Sequence, residues 1–418
     1  MKKLFFLLLL FPVTNIVAAD LLRTGEWRGV LQLNDSTELP FSFTITKGKT
    51  PAKEFFVLTI HNAEERIPVE QLVVTNDSVN WRMPVFDSWF KCKYESDTTF
   101  SGTFYNRAAS RPYELKFRAE YGKKRIGFDN SSFGGFEKIH DVNGKWECTF
   151  SPGTADSSKA IGIFKRNMQG VVTGTFLTET GDYRYLEGEE YGNELIEVSC
   201  FDGSHAFLFK ARWQDDGTLK GQAFYGKYGY ETWEGKPNKK FELRDPEKLT
   251  WVTDSNNVNF TFTDLNGKPV SLSDPQFKGK VVIVQIMGSW CPNCMDETKW
   301  LAGVYKKYQP KGLEVVALAY ERSSDTCIAN ANIRRLKMKY GADYTFLNTG
   351  KSGSAAASAS LPFLNGIMSF PTTIYIDRNG KVRKVYTGFN GPATGVQYEK
   401  DTAEALRFIQ QLLAEKVK

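Results

Sequence analysis

The chain has 418 residues, too many for one hydrophobic core, so two or three domains are expected. Hydrophobic residues make up 41% and charged residues 24%, the proportions of an ordinary globular protein. The net charge of +6 comes from 54 basic against 48 acidic residues, interspersed without a basic block, which argues against a nucleic-acid partner.

The first residues read as an address. Lys2-Lys3, an apolar run from Leu4 to Val13 and the small residues Val17-Ala18-Ala19 predict a secretory signal peptide, residues 1–19, cleaved near Ala19. The run falls short of the about 18 residues that a membrane span needs. A soluble protein in an exported, oxidising compartment, the periplasm in bacterial terms, is the expectation.

Residues 21 to 240 look β-rich. Phe41–Ile45, Phe55–Ile60 and Tyr113–Phe117 are aromatic or β-branched with period-two character. Asn34-Asp35-Ser36 and Asp215-Asp216-Gly217 supply turns. The region also repeats. One constant offset carries Gly25 onto Gly144, Trp27 onto Trp146 and Tyr94 onto Trp213, and the same offset carries Gly102 onto Gly221. Two copies of one β unit follow, residues 20–130 and 131–240, each of a size to close as a barrel or sandwich. Aromatic strands of one large sheet are the alternative. Each copy opens on Gly-x-Trp, which faintly resembles the start of lipocalin-like barrels.

Trp81, Trp89, Tyr183 and Tyr185 are read as core fillers in preference to pocket walls. His61, His140 and His205 are scattered without metal-ligand spacing, and no metal or other cofactor is expected. Cys148 and Cys200 are a candidate pair within the second copy, Cys92 is left over, and spacing leaves the connectivity open.

Gly235-Lys236-Pro237-Asn238-Lys239-Lys240 is polar and turn-forming and opens a boundary, with 241–254 taken as linker. From about Trp251 strands and helices alternate. Val258–Phe262 is strand-like and Val281–Met287 is a buried parallel strand. A helix is predicted from Pro292 to Tyr308, a strand at Leu313–Ala319 and a helix over 325–340. Thr372–Asp377 and Lys381–Tyr386 form a hairpin about Asn379-Gly380, and a final amphipathic helix runs from Thr402 to Leu413. Between Gly341 and Ser369, the small residues Ser352–Ser360 form either a flexible loop or a short alanine-rich helix. The fold class is thus multidomain: an all-β N-terminal part followed by an α/β domain over 255–418.

Trp290-Cys291-Pro292-Asn293-Cys294 stands where the buried strand meets the first helix, which is a thioredoxin-like redox signature. Cys291, at the helix tip, faces unpaired N–H groups and the positive dipole end, which favour thiolate and make it the nucleophile. Pro292 suits the first helical position. Cys294, three residues on and on the same face, is the resolving thiol. A half zinc site or a structural disulfide is the competing reading. From Arg244 onward, however, Cys327 is the only further thiol and there is no histidine, against the about four ligands a closed zinc site needs.

With Asn259–Lys268 ahead of this motif, Phe370-Pro371-Thr372-Thr373 after it and Thr387–Pro392 closing, residues 255–418 resemble the TlpA/ResA branch of the thioredoxin superfamily. The resemblance implies an exported thiol–disulfide oxidoreductase acting on protein disulfides, with a membrane thiol carrier as electron donor. It implies a cis Pro371 facing the cysteines, a Glu297 that assists proton transfer and a Trp290 that shields the site. A trans proline opening a strand and an exposed glutamate are the plain alternatives. Lys299 stands where the branch commonly has a helix-kinking proline, and Gln285 where many thioredoxins bury an aspartate. Two other functions are carried beside this one. A peroxiredoxin-like peroxidase commonly has threonine where Gly288 stands; a β-domain ligand-binding protein would make the thioredoxin-like part inert.

Overall fold

The computed structural model describes residues 22–50, 54–69, 71–125, 140–191, 195–255 and 257–416. The expected signal peptide and the predicted division at 130/131 lie outside these residues. Among them, no helix is long and apolar enough to cross a membrane.

Nine strands form the first sheet: β1 (Gly25–Asn34), β2 (Thr37–Lys49), β3 (Glu54–Asn62), β4 (Glu65–Val69), β5 (Gln71–Val74), β6 (Ser78–Arg82), β7 (Ser88–Tyr94), β8 (Thr99–Asn106) and β9 (Tyr113–Tyr121). Each pairs antiparallel with its neighbour in the order β4-β3-β2-β1-β9-β8-β7-β6-β5. Strand directions alternate around this ring only if β4 and β5 run the same way. These two short strands, β4 beside β3 and β5 beside β6, stand at the two ends of the strand order. The result is a barrel-like meander in which edge groups are largely paired.

The second sheet repeats the plan with β10 (Gly144–Phe150), β11 (Ser158–Arg166), β12 (Val171–Thr178), β13 (Gly181–Asp182), β14 (Leu186–Tyr191), β15 (Leu195–Phe201), β16 (Ala206–Trp213), β17 (Leu219–Tyr225) and β18 (Gly229–Pro237). Pairing of β11 with both β10 and β12 closes the ring, and β13 is a two-residue spur on β12. The positions that repeat in sequence have matching structural work. Trp27 and Trp146 are each buried, and each indole N–H donates to a backbone carbonyl four residues earlier, Arg23 and Val142. At Gly102 a Cβ would lie 2.0 Å from the Lys91 carbonyl oxygen, and at Gly221 one would lie 2.1 Å from that of Lys210. Only glycine fits at either crossing. One large sheet is thereby excluded.

Both interiors are filled with aromatic side chains, for example Trp81 stacked on Phe90 at 4.2 Å and Phe176 against Phe209 at 4.8 Å. Trp81 is core, as expected, whereas Trp89 stacks on Tyr105, and Tyr183 and Tyr185 are only half-buried. Cys148 and Cys200 are buried free thiols. They project from β10 and β15, which are not neighbours in the ring, so the candidate bridge is not formed. The barrels pack on each other: Phe201 of the second lies on Phe41, Phe90 and Phe104 of the first, and Asn62 brackets it by bonding both its carbonyl (2.9 Å) and its N–H (3.2 Å). Burying such a ring contributes about 1.5–3 kcal/mol.

The third sheet comprises β19 (Thr261–Asp264), β20 (Pro269–Ser271), β21 (Val281–Met287), β22 (Leu313–Ala319), β23 (Thr345–Asn348), β24 (Thr372–Ile376) and β25 (Val382–Thr387), in the order β20-β19-β23-β22-β21-β24-β25. Helices α1 (Pro292–Tyr308) and α2 (Thr326–Tyr340) connect the parallel strands β21, β22 and β23. α3 (Gly353–Ser360) and α4 (Val396–Ala414) complete the domain, so the small-residue stretch is a helix. Three expectations are corrected. The strand read at Val258–Phe262 lies at Thr261–Asp264, because pairing with β20 and β23 and not local alternation fixes it. The last helix begins at Val396, six residues before the predicted start. The polar stretch read as a boundary still belongs in part to β18, which runs to Pro237. There Gly235 packs close to Cys148, where a Cβ would lie 3.2 Å from the sulfur.

Candidate active site

All seven residues of β21 are buried, and the chain leaves this strand through Gly288, Ser289 and Trp290 to enter α1. Each step of that turn is fixed. A Cβ on Gly288 would lie 2.2 Å from the indole nitrogen of Trp290. Ser289 donates from its N–H and hydroxyl to the two carboxylate oxygens of buried Glu321 (2.8 and 2.7 Å), and Trp290 Nε1 donates to the Tyr320 carbonyl (2.9 Å). Cys291 is then the N-cap of α1 and Pro292 its first residue. The Cys291 sulfur accepts the Cys294 N–H at 3.4 Å, and its S–H reaches the Phe370 carbonyl at 3.4 Å. Cys291 is 7% exposed and Cys294 fully buried; both are free thiols. Burial, reinforced by the neighbouring Cys291, pushes the Cys294 thiol far above its usual range.

The Phe370–Pro371 bond is cis, and Phe370 packs edge-on against Trp290 with ring centres 5.5 Å apart. Trp290, Cys291, Cys294 and Pro371 thus converge at one point. Glu297 lies beneath them, 3% exposed, and is not a surface glutamate. Gln285 Nε2 donates to one of its oxygens at 2.8 Å and the Thr373 hydroxyl to the other at 2.5 Å. Gln285 also reaches the Cys294 carbonyl (3.4 Å), so one amide ties the carboxyl group to the second cysteine's backbone. α1 runs unbroken past exposed Lys299. Burial raises the Glu297 pKa to about 7, against two hydrogen bonds that lower it.

This buried carboxyl has a measurable consequence. Folded Glu297 keeps its proton to about pH 7, whereas the ordinary value is 4.5. A carboxyl raised by folding contributes fully below the unfolded pKa, and that contribution is lost as pH rises towards the folded one. Urea unfolding is therefore expected to show stability falling between pH 4.5 and 7, by about 3 kcal/mol from this group. Glu297→Gln is expected to remove that share of the slope; a variant with the wild-type slope would place the proton elsewhere.

The redox turn does not face open solvent. It forms the floor of a cleft of about 470 Å3 walled by both barrels, with Tyr113, Tyr183, His205, Tyr225 and Arg322 among the lining residues. Asn293, between the cysteines, donates to the carbonyl and the carboxylate of Asp182 on β13 (both 3.2 Å) and to the Phe389 carbonyl (3.3 Å). Arg322 stands 3.7 Å over the Trp290 ring and donates to the Ala108 carbonyl of the first barrel. Burial lowers its pKa to about 10, so it is cationic at neutral pH. Behind Asp182, fully buried Arg184 pairs with Asp296 of α1, Glu65 of the first barrel and, at 3.5 Å, Asp202 of the second. Arg322, Asp182, Arg184, Asp296, Glu65 and Asp202 are not singled out by the sequence, which offers Asn293 only as part of the cysteine motif, Tyr183 as a core filler and His205 as a histidine without metal-ligand spacing. The cue that was available is the charged Gly181-Asp182-Tyr183-Arg184 turn set among aromatic strands.

Residues 253–406 match the Redoxin family. The thiol-disulfide oxidoreductase ResA of Bacillus thuringiensis subsp. konkukian is 34% identical over 125 residues, covering 30% of this chain and 63% of that protein. ResA of Bacillus subtilis (strain 168) is 35% identical over 131 residues, covering 31% and 64%. The chain therefore spans a little under two thirds of these relatives, and its first 240 residues lie outside the match. Among solved structures, a putative thiol:disulfide interchange protein DsbE from Chlorobium tepidum is similar at 28% identity, covering 35% of this chain and 93% of that one, with a TM-score of 0.27. The buried strand, the helix-capping cysteine and the sequence relatives agree: the C-terminal part of the chain is a Redoxin domain of the thioredoxin superfamily, of the TlpA/ResA-like type.

Proposed function

We propose that the protein is an exported thiol–disulfide oxidoreductase that reduces protein disulfides through the Cys291/Cys294 dithiol. The observation that supports this most is the Cys291 sulfur capping α1, 3.4 Å from the Cys294 N–H, with Cys291 lining the cleft over the turn. Cys291 attacks one sulfur of the substrate disulfide; that bond breaks, and the departing sulfur takes up a proton. Cys294 then attacks the Cys291 sulfur, which forms the internal disulfide and releases the second substrate thiol, two electrons having passed to the substrate. A thiol as strongly protonated as Cys294 needs a base, and Glu297, raised to about 7 and linked through Gln285, is assigned that proton.

Trp290 shields the sulfur, and the peptide before Pro371 lies against it, where a substrate strand would bind. The oxidised protein returns to the dithiol at the expense of an external dithiol donor, for which a membrane thiol carrier is proposed. Residues 1–19 are proposed as the cleaved signal, 20–130 and 131–240 as the two β units, 241–254 as the linker and 255–418 as the redox domain. The reading is tested by disulfide turnover of wild type against Cys291→Ser.

A further inference from the structure

The second barrel covers the side of the redox turn on which a protein surface would have to land. Three polar ties hold it there: Asn293 to Asp182, the Ser369 hydroxyl to the Thr180 carbonyl (2.7 Å) and the Ser204 hydroxyl to the Trp290 carbonyl (2.9 Å). Packing at these ties is tight enough to require glycine. A Cβ on Gly181 would lie 2.7 Å from Asn293 Nδ2, and one on Gly388 would lie 3.1 Å from the Thr180 carbonyl carbon. What remains open towards Cys291 is the cleft of about 470 Å3, within the range of small-ligand pockets.

The lining of that cleft has a chemical character. Tyr113 from the first barrel and Tyr183, Phe207 and Tyr225 from the second present aromatic surface. Among the described lining residues Arg322 is the one arginine or lysine and Asp182 the one carboxylate. Asp182 is already engaged by the N–H groups of Gly391 and Arg184 and by Asn293. The guanidinium beside Trp290 is therefore the charge that meets an incoming group.

We propose that this cleft is the substrate site and selects its disulfide by size and charge. It takes a disulfide flanked by a carboxylate, on a peptide short or extended enough to enter, and refuses one held on the surface of a folded protein. The flanking carboxylate pairs with Arg322 while the aromatic walls take the peptide flanks. The proposal rests on the dithiol reading above. A free peptide disulfide and an unfolded segment of a protein share this chemistry.

The test compares kcat/KM of the full chain on four disulfides. These are glutathione disulfide, which is anionic; cystamine, which is small and cationic; a glutathione mixed disulfide on an unfolded peptide; and the same mixed disulfide on a surface cysteine of a folded protein. Glutathione disulfide is expected to exceed cystamine by about tenfold or more, the worth of one charge-assisted pair, and Arg322→Gln is expected to erase that ratio mainly through KM. Ser110→Trp, at an exposed rim position, is expected to lower the glutathione disulfide to cystamine ratio by narrowing the cleft. The unfolded mixed disulfide is expected to react and the folded one to fail. A stronger rate on glutathione disulfide than on the unfolded peptide identifies the free peptide as the source, and the reverse identifies the protein segment. Equal rates on folded and unfolded carriers, or an anion-to-cation ratio near one in wild type, would overturn the proposal while leaving the dithiol reading intact. Failure of that reading looks different: no disulfide in the panel turns over.

Discussion

Cys291→Ser is expected to lower disulfide turnover by about 10^4-fold or more, because a serine hydroxyl does not ionise near neutral pH and the two steps of exchange both pass through this one sulfur. The fold is expected to survive. Serine is a preferred N-cap and can accept the same Cys294 N–H, so the thermal midpoint is expected to stay near that of wild type. This separates loss of chemistry from loss of structure. Cys327 lies exposed at the start of α2, and Cys327→Ser is the matched control, with wild-type turnover expected. Residual turnover in Cys291→Ser that disappears when Cys327→Ser is added to it would move the chemistry to the wrong helix.

Arg184→Met carries the largest expected effect on stability. The guanidinium is fully buried in a left-handed backbone position (φ 60°), with Asp296, Glu65 and Asp202 around it and Asp182 close by. Burial opposes its charge, yet these carboxylates hold it well above the usual arginine value. Methionine fills similar space but leaves the acids without their cation. Breaking one partner of a buried network costs about 3–5 kcal/mol. Asp296, pushed by burial to about 7 even with the arginine present, is expected to hold its proton to still higher pH in the variant. Denaturant midpoints at pH 5.5 and 8 check this: the loss is expected to be larger at pH 8, and Arg184→Met combined with Asp296→Asn is expected to recover part of it. A loss below about 1 kcal/mol, the usual value of an exposed pair, would remove Arg184 from its role as the junction of three units.

The redox domain was legible because its determinants are local. A seven-residue run that is apolar but for Gln285, a helix-breaking glycine, a capping cysteine and a proline at the first helical position need no distant partner to declare a strand and a helix, and β21 and α1 lie where the sequence places them. The repeat was legible for a related reason. Trp27 with Trp146, and Gly102 with Gly221, meet one steric demand twice, so the same residue type returns at the same offset. Where strand identity depends on a partner, as for β19 between β20 and β23, local alternation pointed a few residues early. The placement of the second barrel over the dithiol was not legible. Asn293 and Asp182 are far apart in sequence, and each taken alone reads as an ordinary turn residue. The same holds for Arg184 and Arg322, whose charges make sense only beside acids and rings supplied by other units.

The central claim is that Cys291 captures a substrate sulfur and Cys294 expels it. Cys294→Ser, incubated with glutathione disulfide and analysed by peptide mass spectrometry, tests this most directly. One glutathione adduct is predicted, on Cys291, persisting because no second sulfur can release it. An adduct on Cys92, Cys148, Cys200 or Cys327 in its place, or an unmodified Cys291 after prolonged exposure, would contradict the account.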